Sequence, residues 1–309
     1  MSLGLLGLYG PDAMRDLTTG TVRANGLQFA TLEAGDGPLV LCLHGFPDHA
    51  RSFRHQLPAL AAAGYRAVAP FMRGYAPTQQ PADGRYQSAV LALDVVELIG
   101  ALGADSAVVF GHDWGAVAAY GAAVVAPNRI RRLVTAAVPH GPAVLNAFLS
   151  DYPQQRRSWY MFFFQTAFAD AAVAHDDFAF LERLWADWSP GWQWPSDEME
   201  ALKATFRAPG VLEAALGYYR ATLNPERQDP SLAELQAGMS LSPITVPTMV
   251  LHGARDGCMG VDLLDGMEAL FPAGLRKVVV PDAGHFLHQE RPDEVNRALL
   301  DFLGPGASA

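Results

Sequence analysis

Cysteine is scarce in this chain: Cys42 and Cys258 are the two it has in 309 residues. They are too few for a disulfide framework and stand in no metal-ligand spacing, so a reducing compartment is expected. Positive charge is also in deficit, with 22 Lys and Arg against 32 Asp and Glu for a formal net charge of -10. No basic run or stripe is available to neutralise phosphates, which argues against nucleic acid or an acidic membrane as partner. Long hydrophobic runs are missing too; the richest stretch, Ala116 to Pro127, is short and ends in proline. Met1 to Gly10 carries no basic segment, is broken by three glycines and offers no cleavage site. No secretion signal and a cytoplasmic location are therefore expected. The histidines, His285 and His288 included, show no zinc-like spacing with acids, and no metal or organic cofactor is anticipated. What the chain does have is 50% hydrophobic residues, enough to bury one large core with an insertion.

The order of patterns predicts an α/β fold. Thr21 to Leu32 reads as two strands about an Asn25-Gly26 turn, an antiparallel hairpin. Leu39 to Leu43 is a continuous apolar run, as expected of a strand covered on both faces of a parallel sheet. Helical spacing over Ser52 to Ala63, a strand at Arg66 to Pro70, a helix over Gln87 to Leu102 and strands at Ser106 to Phe110 and Arg131 to Val138 continue the alternation. This is a doubly wound, mostly parallel sheet, for which eight strands are expected. Between Pro139 and Pro243 the alternation stops and aromatic-rich helical runs take over, with Trp159, Trp185, Trp188, Trp192 and Trp194 among them. Residues 139–243 are thus expected to form a helical cap inserted between core segments 1–138 and 244–309. Strands return at Thr248 to Leu251 and Lys277 to Val280, separated by a helix near Val261 to Phe271. Arg291 to Leu303 supplies a last helix, and Gly304 to Ala309 a loose tail. No repeat or low-complexity tract interrupts the chain.

The chemistry concentrates at Gly111-His112-Asp113-Trp114-Gly115, between the strand ending at Phe110 and an alanine-rich helical run, Ala116 to Val125. A strand that reverses directly into a helix strains its apex residue and crowds its neighbours, so only very small flanking residues fit. The apex side chain is pushed clear of the sheet beside the free N–H groups of the new helix. An apical serine would make an esterase; the apical residue here is Asp113, and a carboxylate can displace at saturated carbon. As a lone feature, Asp113 would equally serve as a helix cap.

Parallel sheets bind ligands at the carboxyl ends of their strands. There the sequence offers Arg255-Asp256-Gly257 after one strand and Gly284-His285-Phe286 after another. Nucleophile, acid and histidine in that order along the chain is the α/β-hydrolase triad order, giving Asp113, Asp256 and His285, with Asp262 and Asp282 as other candidates for the acid. Backbone N–H groups of Trp114 and of Phe46, in the His44-Gly45-Phe46-Pro47 loop, are expected to form an oxyanion hole.

With His44-Gly45-Phe46-Pro47-Asp48, Arg73-Gly74-Tyr75, the Gly111 to Gly115 elbow and Gly284-His285, the chain resembles an α/β-hydrolase-fold epoxide hydrolase over nearly its whole length. The resemblance implies two cap tyrosines that bind the epoxide oxygen. Tyr160 matches the first and Tyr219 the second, with Tyr218 as the competing register. It also implies substrate contacts from His44, Pro47, Trp114, Phe164 and Tyr218, and a small apolar epoxide and water as reactants. A homodimer is allowed for. The same motifs occur in haloalkane dehalogenases, but Phe46 stands where many of those have a halide-binding asparagine. A non-catalytic hydrolase-fold receptor is the alternative from a different class.

Overall fold

The computed structural model describes residues 17–305; the Met1 to Gly10 reading and the last four residues of the expected tail lie outside them. Eight strands form one sheet in the order β1-β2-β4-β3-β5-β6-β7-β8. β1 (Thr18–Ala24) and β2 (Leu27–Ala34) are the antiparallel hairpin. Its two turn residues, Asn25 and Gly26, both have positive φ (43° and 76°), the geometry that matches the natural twist of paired strands. β3 (Leu39–Leu43), β4 (Arg66–Pro70), β5 (Ala107–His112), β6 (Ile130–Ala136), β7 (Thr248–Gly253) and β8 (Leu275–Val280) run parallel, and β2 meets β4 antiparallel. Every residue of β3, β5 and β7 is buried, which is why these strands read as unbroken apolar runs. The edge strands β1 and β8 alternate or expose residues instead.

Helices α1 (Gln56–Ala62), α2 (Ser88–Ala101) and α3 (Trp114–Val125) cover the first part of the sheet. Seven more fall between β6 and β7: α4 (Ala143–Ser150), α5 (Tyr152–Arg157), α6 (Trp159–Phe163), α7 (Ala169–Trp188), α8 (Ser196–Arg207), α9 (Val211–Leu223) and α10 (Ala233–Met239). α11 (Leu287–Glu290) and α12 (Pro292–Leu303) close the chain. Three expectations need correction. The helix expected over Val261 to Phe271 is two single 3-10 turns, Val261–Leu264 and Met267–Leu270, because Gly266 adopts φ 75° between them. The helix expected from Ser52 is a 3-10 turn over Ala50–Phe53 followed by α1. The helix after the elbow begins at Trp114 and not at Ala116. Within α7 the helix is interrupted at His175–Phe178, where three consecutive residues take positive φ.

Register positions the site. Leu43 pairs with Gly111 across β3 and β5, His112 with Ala136, Ala136 with Leu251, and Gly253 with Val280. The carboxyl ends of β3, β5, β7 and β8 therefore stop at nearly one level, and the four loops that follow emerge side by side. The inserted helices share one continuous hydrophobic cluster with the sheet, to which Phe46, Trp185, Trp188 and Phe206 all belong. Polar ties join the two as well. Arg51 makes a two-pronged contact to Glu198 of α8 at 3.0 and 2.6 Å, and the Trp185 indole donates to the Pro47 carbonyl at 2.9 Å. All three side chains are buried, so these bonds work where water cannot compete.

Candidate active site

Asp113 sits between β5 and α3 with φ 52° and ψ -120°, a conformation that a residue with a Cβ adopts only when its surroundings enforce it. The enforcement is steric. A Cβ on Gly111 would stand 2.2 Å from the Gly115 carbonyl oxygen, and one on Gly115 would stand 2.0 Å from that of Leu43. A Cβ on Gly45 would stand 2.2 Å from the Asp113 carboxylate itself. Three chain segments thus meet with no side-chain volume between them, and the carboxylate is fixed at their junction. Its Oδ1 accepts the Phe46 backbone N–H at 2.7 Å, and its Oδ2 lies 3.5 Å from His285 Nε2.

The loop after β7 delivers the acid. Asp256 Oδ1 accepts the backbone N–H groups of Cys258 and Met259 at 2.7 and 2.9 Å, which leaves Oδ2 to face His285 Nδ1 at 3.0 Å. Asp262 lies in the 3-10 turn of residues 261–264, and Asp282 pairs with exposed Arg255; His285 is paired with neither. The histidine loop is braced from two sides. Glu290 accepts the Gly284 N–H and the Ser189 hydroxyl, and the His285 and Gly257 N–H groups both donate to the Trp188 carbonyl at 3.0 Å. A Cβ on Gly257 would meet the Asp187 carbonyl oxygen at 2.0 Å, and one on Gly284 the Ser189 Cα at 2.5 Å. The glycines beside the acid and the histidine are therefore landing points for the end of α7. The sequence gives no sign of that contact, because its partner lies about 70–100 residues away in the chain.

Burial and charge compete at these groups. Burial disfavours a charged His285, but the Asp256 and Asp113 carboxylates outweigh it and hold the imidazole well above its ordinary value. Burial alone pushes His44 down to about 4 and dominates at His112, which falls to about 3. Burial, with the Asp113 carboxylate among the further causes, pushes Tyr160 and Tyr219 well above the usual phenol value, so both remain O–H donors.

A cavity of about 260 Å³ opens from Asp113 along α3 towards α4 and α10. Asp113, Trp114, Tyr160 and Tyr219 line its inner end, with Val117, Tyr120, Met161 and Met259 among the walls. The Tyr160 hydroxyl lies 3.2 Å from Cys258 Sγ. The Trp114 side chain acts to lower the Tyr219 phenol against its burial, but the hydroxyl and the indole N–H make no well-aligned hydrogen bond among the described residues.

Four expected substrate contacts lie elsewhere. Tyr218 turns away from the cavity: its hydroxyl donates to the Arg73 carbonyl at 2.7 Å and its ring stacks on Tyr86. Adjacent helical residues point about 100° apart, so seating Tyr219 over Asp113 excludes Tyr218. His44 is occupied by its own loop, Nε2 accepting the Met72 N–H at 2.9 Å and Nδ1 facing the Gly45 carbonyl. Pro47 is tied to Trp185, and Phe164 is buried behind the site against Phe46, Tyr160 and Tyr219. Of the five residues expected to contact substrate, Trp114 alone lines the cavity. Sequence reasoning missed Cys258, Met259 and the Trp188 carbonyl.

Comparisons with known proteins give the family and the fold. A family model described as alpha/beta hydrolase fold matches residues 38–292. Epoxide hydrolase 4 of Mus musculus is 31% identical, over 95% of this chain and 82% of that protein. Epoxide hydrolase A of Mycobacterium tuberculosis is 32% identical, over 91% of this chain and 96% of that protein. Among solved structures, the Bacillus megaterium epoxide hydrolase in complex with an inhibitor superposes with a TM-score of 0.81 at 28% identity, covering 92% of this chain and 99% of that one.

Proposed function

The chain belongs to the α/β-hydrolase-fold epoxide hydrolase family, and from that premise we propose that it opens an epoxide to a vicinal diol through an ester on Asp113, under a lid formed by residues 139–243. The observation that carries the reading is the meeting of three groups at one cavity end: a fixed carboxylate and two phenols from separate cap helices. That arrangement supplies both an attacking atom and the donors that the expelled atom needs.

In the first step Asp113 Oδ2 attacks a ring carbon from the face opposite the breaking C–O bond, while Oδ1 stays anchored on the Phe46 N–H. The ring oxygen leaves as an alkoxide, a poor leaving group in water. Tyr160 and Tyr219 donate to it as charge develops, each worth on the order of 3 kcal/mol if they act like other oxyanion donors. One phenol then gives up its proton, and the product is a hydroxyalkyl ester of Asp113.

The second step is acyl chemistry. Esterification removes the Asp113 charge that helped to hold the His285 imidazole charged, so the histidine gives up its proton more readily and is neutral, able to accept one, when a base is needed. His285, oriented by Asp256, takes a proton from water, and the hydroxide adds to the Asp113 carbonyl carbon. The Phe46 and Trp114 N–H groups hold the tetrahedral oxyanion. Collapse expels the diol oxygen, to which His285 returns its proton, and the aspartic acid so formed passes its own proton to the tyrosinate, which restores both the Asp113 carboxylate and the phenol. No step calls for a metal or an organic cofactor.

A halide-releasing reaction would need two N–H donors at the cavity end. Trp114 Nε1 is one, but Phe46 has no side-chain donor to be the second, and the two hydroxyls suit oxygen. The decisive experiment is a single turnover in heavy-oxygen water. Label is expected in Asp113 and not in the diol; a directly labelled diol would overturn the two-step scheme.

A further inference from the structure

Cys258 lies beside the triad, and the ester chemistry assigns it no work. It is fully buried, two residues after Asp256, with its Sγ 3.2 Å from the Tyr160 hydroxyl. One donor atom each from Asp256, Cys258 and His285 lies within 4.8 Å of the other two. His285 Nδ1 meets Asp256 Oδ2 at 3.0 Å, while Nε2, which makes no well-aligned hydrogen bond among the described residues, has Asp113 Oδ2 at 3.5 Å. A thiol, an imidazole and a carboxylate on one small volume form a mixed donor set that Zn²⁺ and Cd²⁺ accept, whereas Mg²⁺ and Ca²⁺ require oxygen ligands throughout.

We propose that Asp256, Cys258 and His285 form a binding site for a thiophilic divalent cation, Zn²⁺ or its probe Cd²⁺, whose occupation arrests the enzyme at the ester. Tetrahedral zinc donors lie roughly 3.3–3.5 Å apart, so the three atoms need to close by little more than an ångström, within reach of side-chain rotation about Asp256 and Cys258. On binding, the thiol and the imidazolium each release a proton to solvent as the thiolate–metal and imidazole–metal bonds form; no oxidant or reductant is involved. Cys258 Sγ lies against the Tyr160 hydroxyl, and Tyr160 lines the inner end of the cavity, the side from which an ion would reach the site. A coordinated imidazole cannot take a proton from water. The alkylation of Asp113 does not use His285 and is therefore expected to survive. That inhibitory consequence rests on the role proposed above for His285, whereas binding itself does not.

The test titrates the full chain, without a histidine tag or chelator, with Cd²⁺. One equivalent is expected to produce a thiolate-to-cadmium charge-transfer band. Turnover should fall at least tenfold, with ester accumulating on Asp113 and EDTA restoring the rate. Cys258→Ser should lose the band and need at least tenfold more Cd²⁺ to halve its own uninhibited rate. A wild-type protein without the band, or a serine variant that binds and responds like wild type, would overturn the site. Should Cys258→Ser fail to fold, Co²⁺ on the wild-type chain decides: an intense tetrahedral spectrum with a thiolate band supports the site, and a weak six-coordinate one overturns it. Stoichiometric binding without inhibition would keep the site and refute the hydrolytic role of His285.

Discussion

On the sheet side of the cavity, side chains are aimed by backbone that has nowhere else to go: Gly45, Gly111 and Gly115 let three segments touch, and Asp113 is held at φ 52° between them. On the cap side, Tyr160 and Tyr219 stand on ordinary helical backbone and are aimed by packing, against Phe164, Trp188 and Phe46. The difference has a consequence for how each half tolerates change. A backbone-enforced position holds its geometry whatever polar group is placed on it, whereas a packed phenol depends on its neighbours and on which face of its helix turns inwards.

The comparison can be broken at four points. The largest effect is expected for Asp113→Asn, which keeps the Phe46 N–H bond but removes the attacking carboxylate; steady-state turnover should fall by about 10⁴-fold or more. Loss of that negative charge should also lower the His285 pKa, followed by imidazole NMR. The sign for stability follows. A histidine raised in the folded state contributes stability that is complete below its unfolded value near 6.5 and fades as pH rises through the folded value. Asp113→Asn should weaken that contribution on the alkaline side, which urea titrations at several pH values would measure. Next, His285→Gln should cut turnover by on the order of 10³-fold or more. Because the first step does not need the imidazole, mass spectrometry should find Asp113 esterified, and an unmodified enzyme would contradict the scheme.

The cap half is sharpened by Tyr160→Phe and Tyr219→Phe, each expected to slow ester formation about 10²-fold or more in rapid-quench measurements, as for one lost oxyanion donor. Dehalogenation, if it were the reaction, should barely respond. The smallest effect is assigned to Tyr218→Phe. Its hydroxyl bonds the Arg73 carbonyl across the cap–core contact, so about 1 kcal/mol of stability should be lost in denaturant titration while the rate of ester formation holds. A rate loss equal to that of Tyr219→Phe would reverse the assignment of the two phenols.

The halves also differ in how far they could be read beforehand. The strand runs, the Asn25-Gly26 hairpin and the order Asp113, Asp256, His285 were legible because each rests on local rules: a turn that needs positive φ, a strand buried on both faces, a bend that needs glycine. The choice between Tyr218 and Tyr219 was not legible, since neighbouring residues of one helix differ only in rotation about its axis. Nor was the displacement of His44, Pro47 and Phe164 from the cavity, which depends on contacts to Met72, Trp185 and Tyr219 far along the chain. Gly266 was visible, yet its power to split the expected helix into two turns depended on adopting φ 75°.

By itself, the sequence determined where the chain must bend and which polar side chains stand at the bends, because glycine, proline and strand periodicity act over a few residues. The tertiary structure alone decided which phenol overlooks the carboxylate, how far the cavity runs along α3, and that a thiol rests against the acid and the histidine. Those outcomes follow from dense packing between segments distant in sequence, where one side chain's place is set by the volume its neighbours leave.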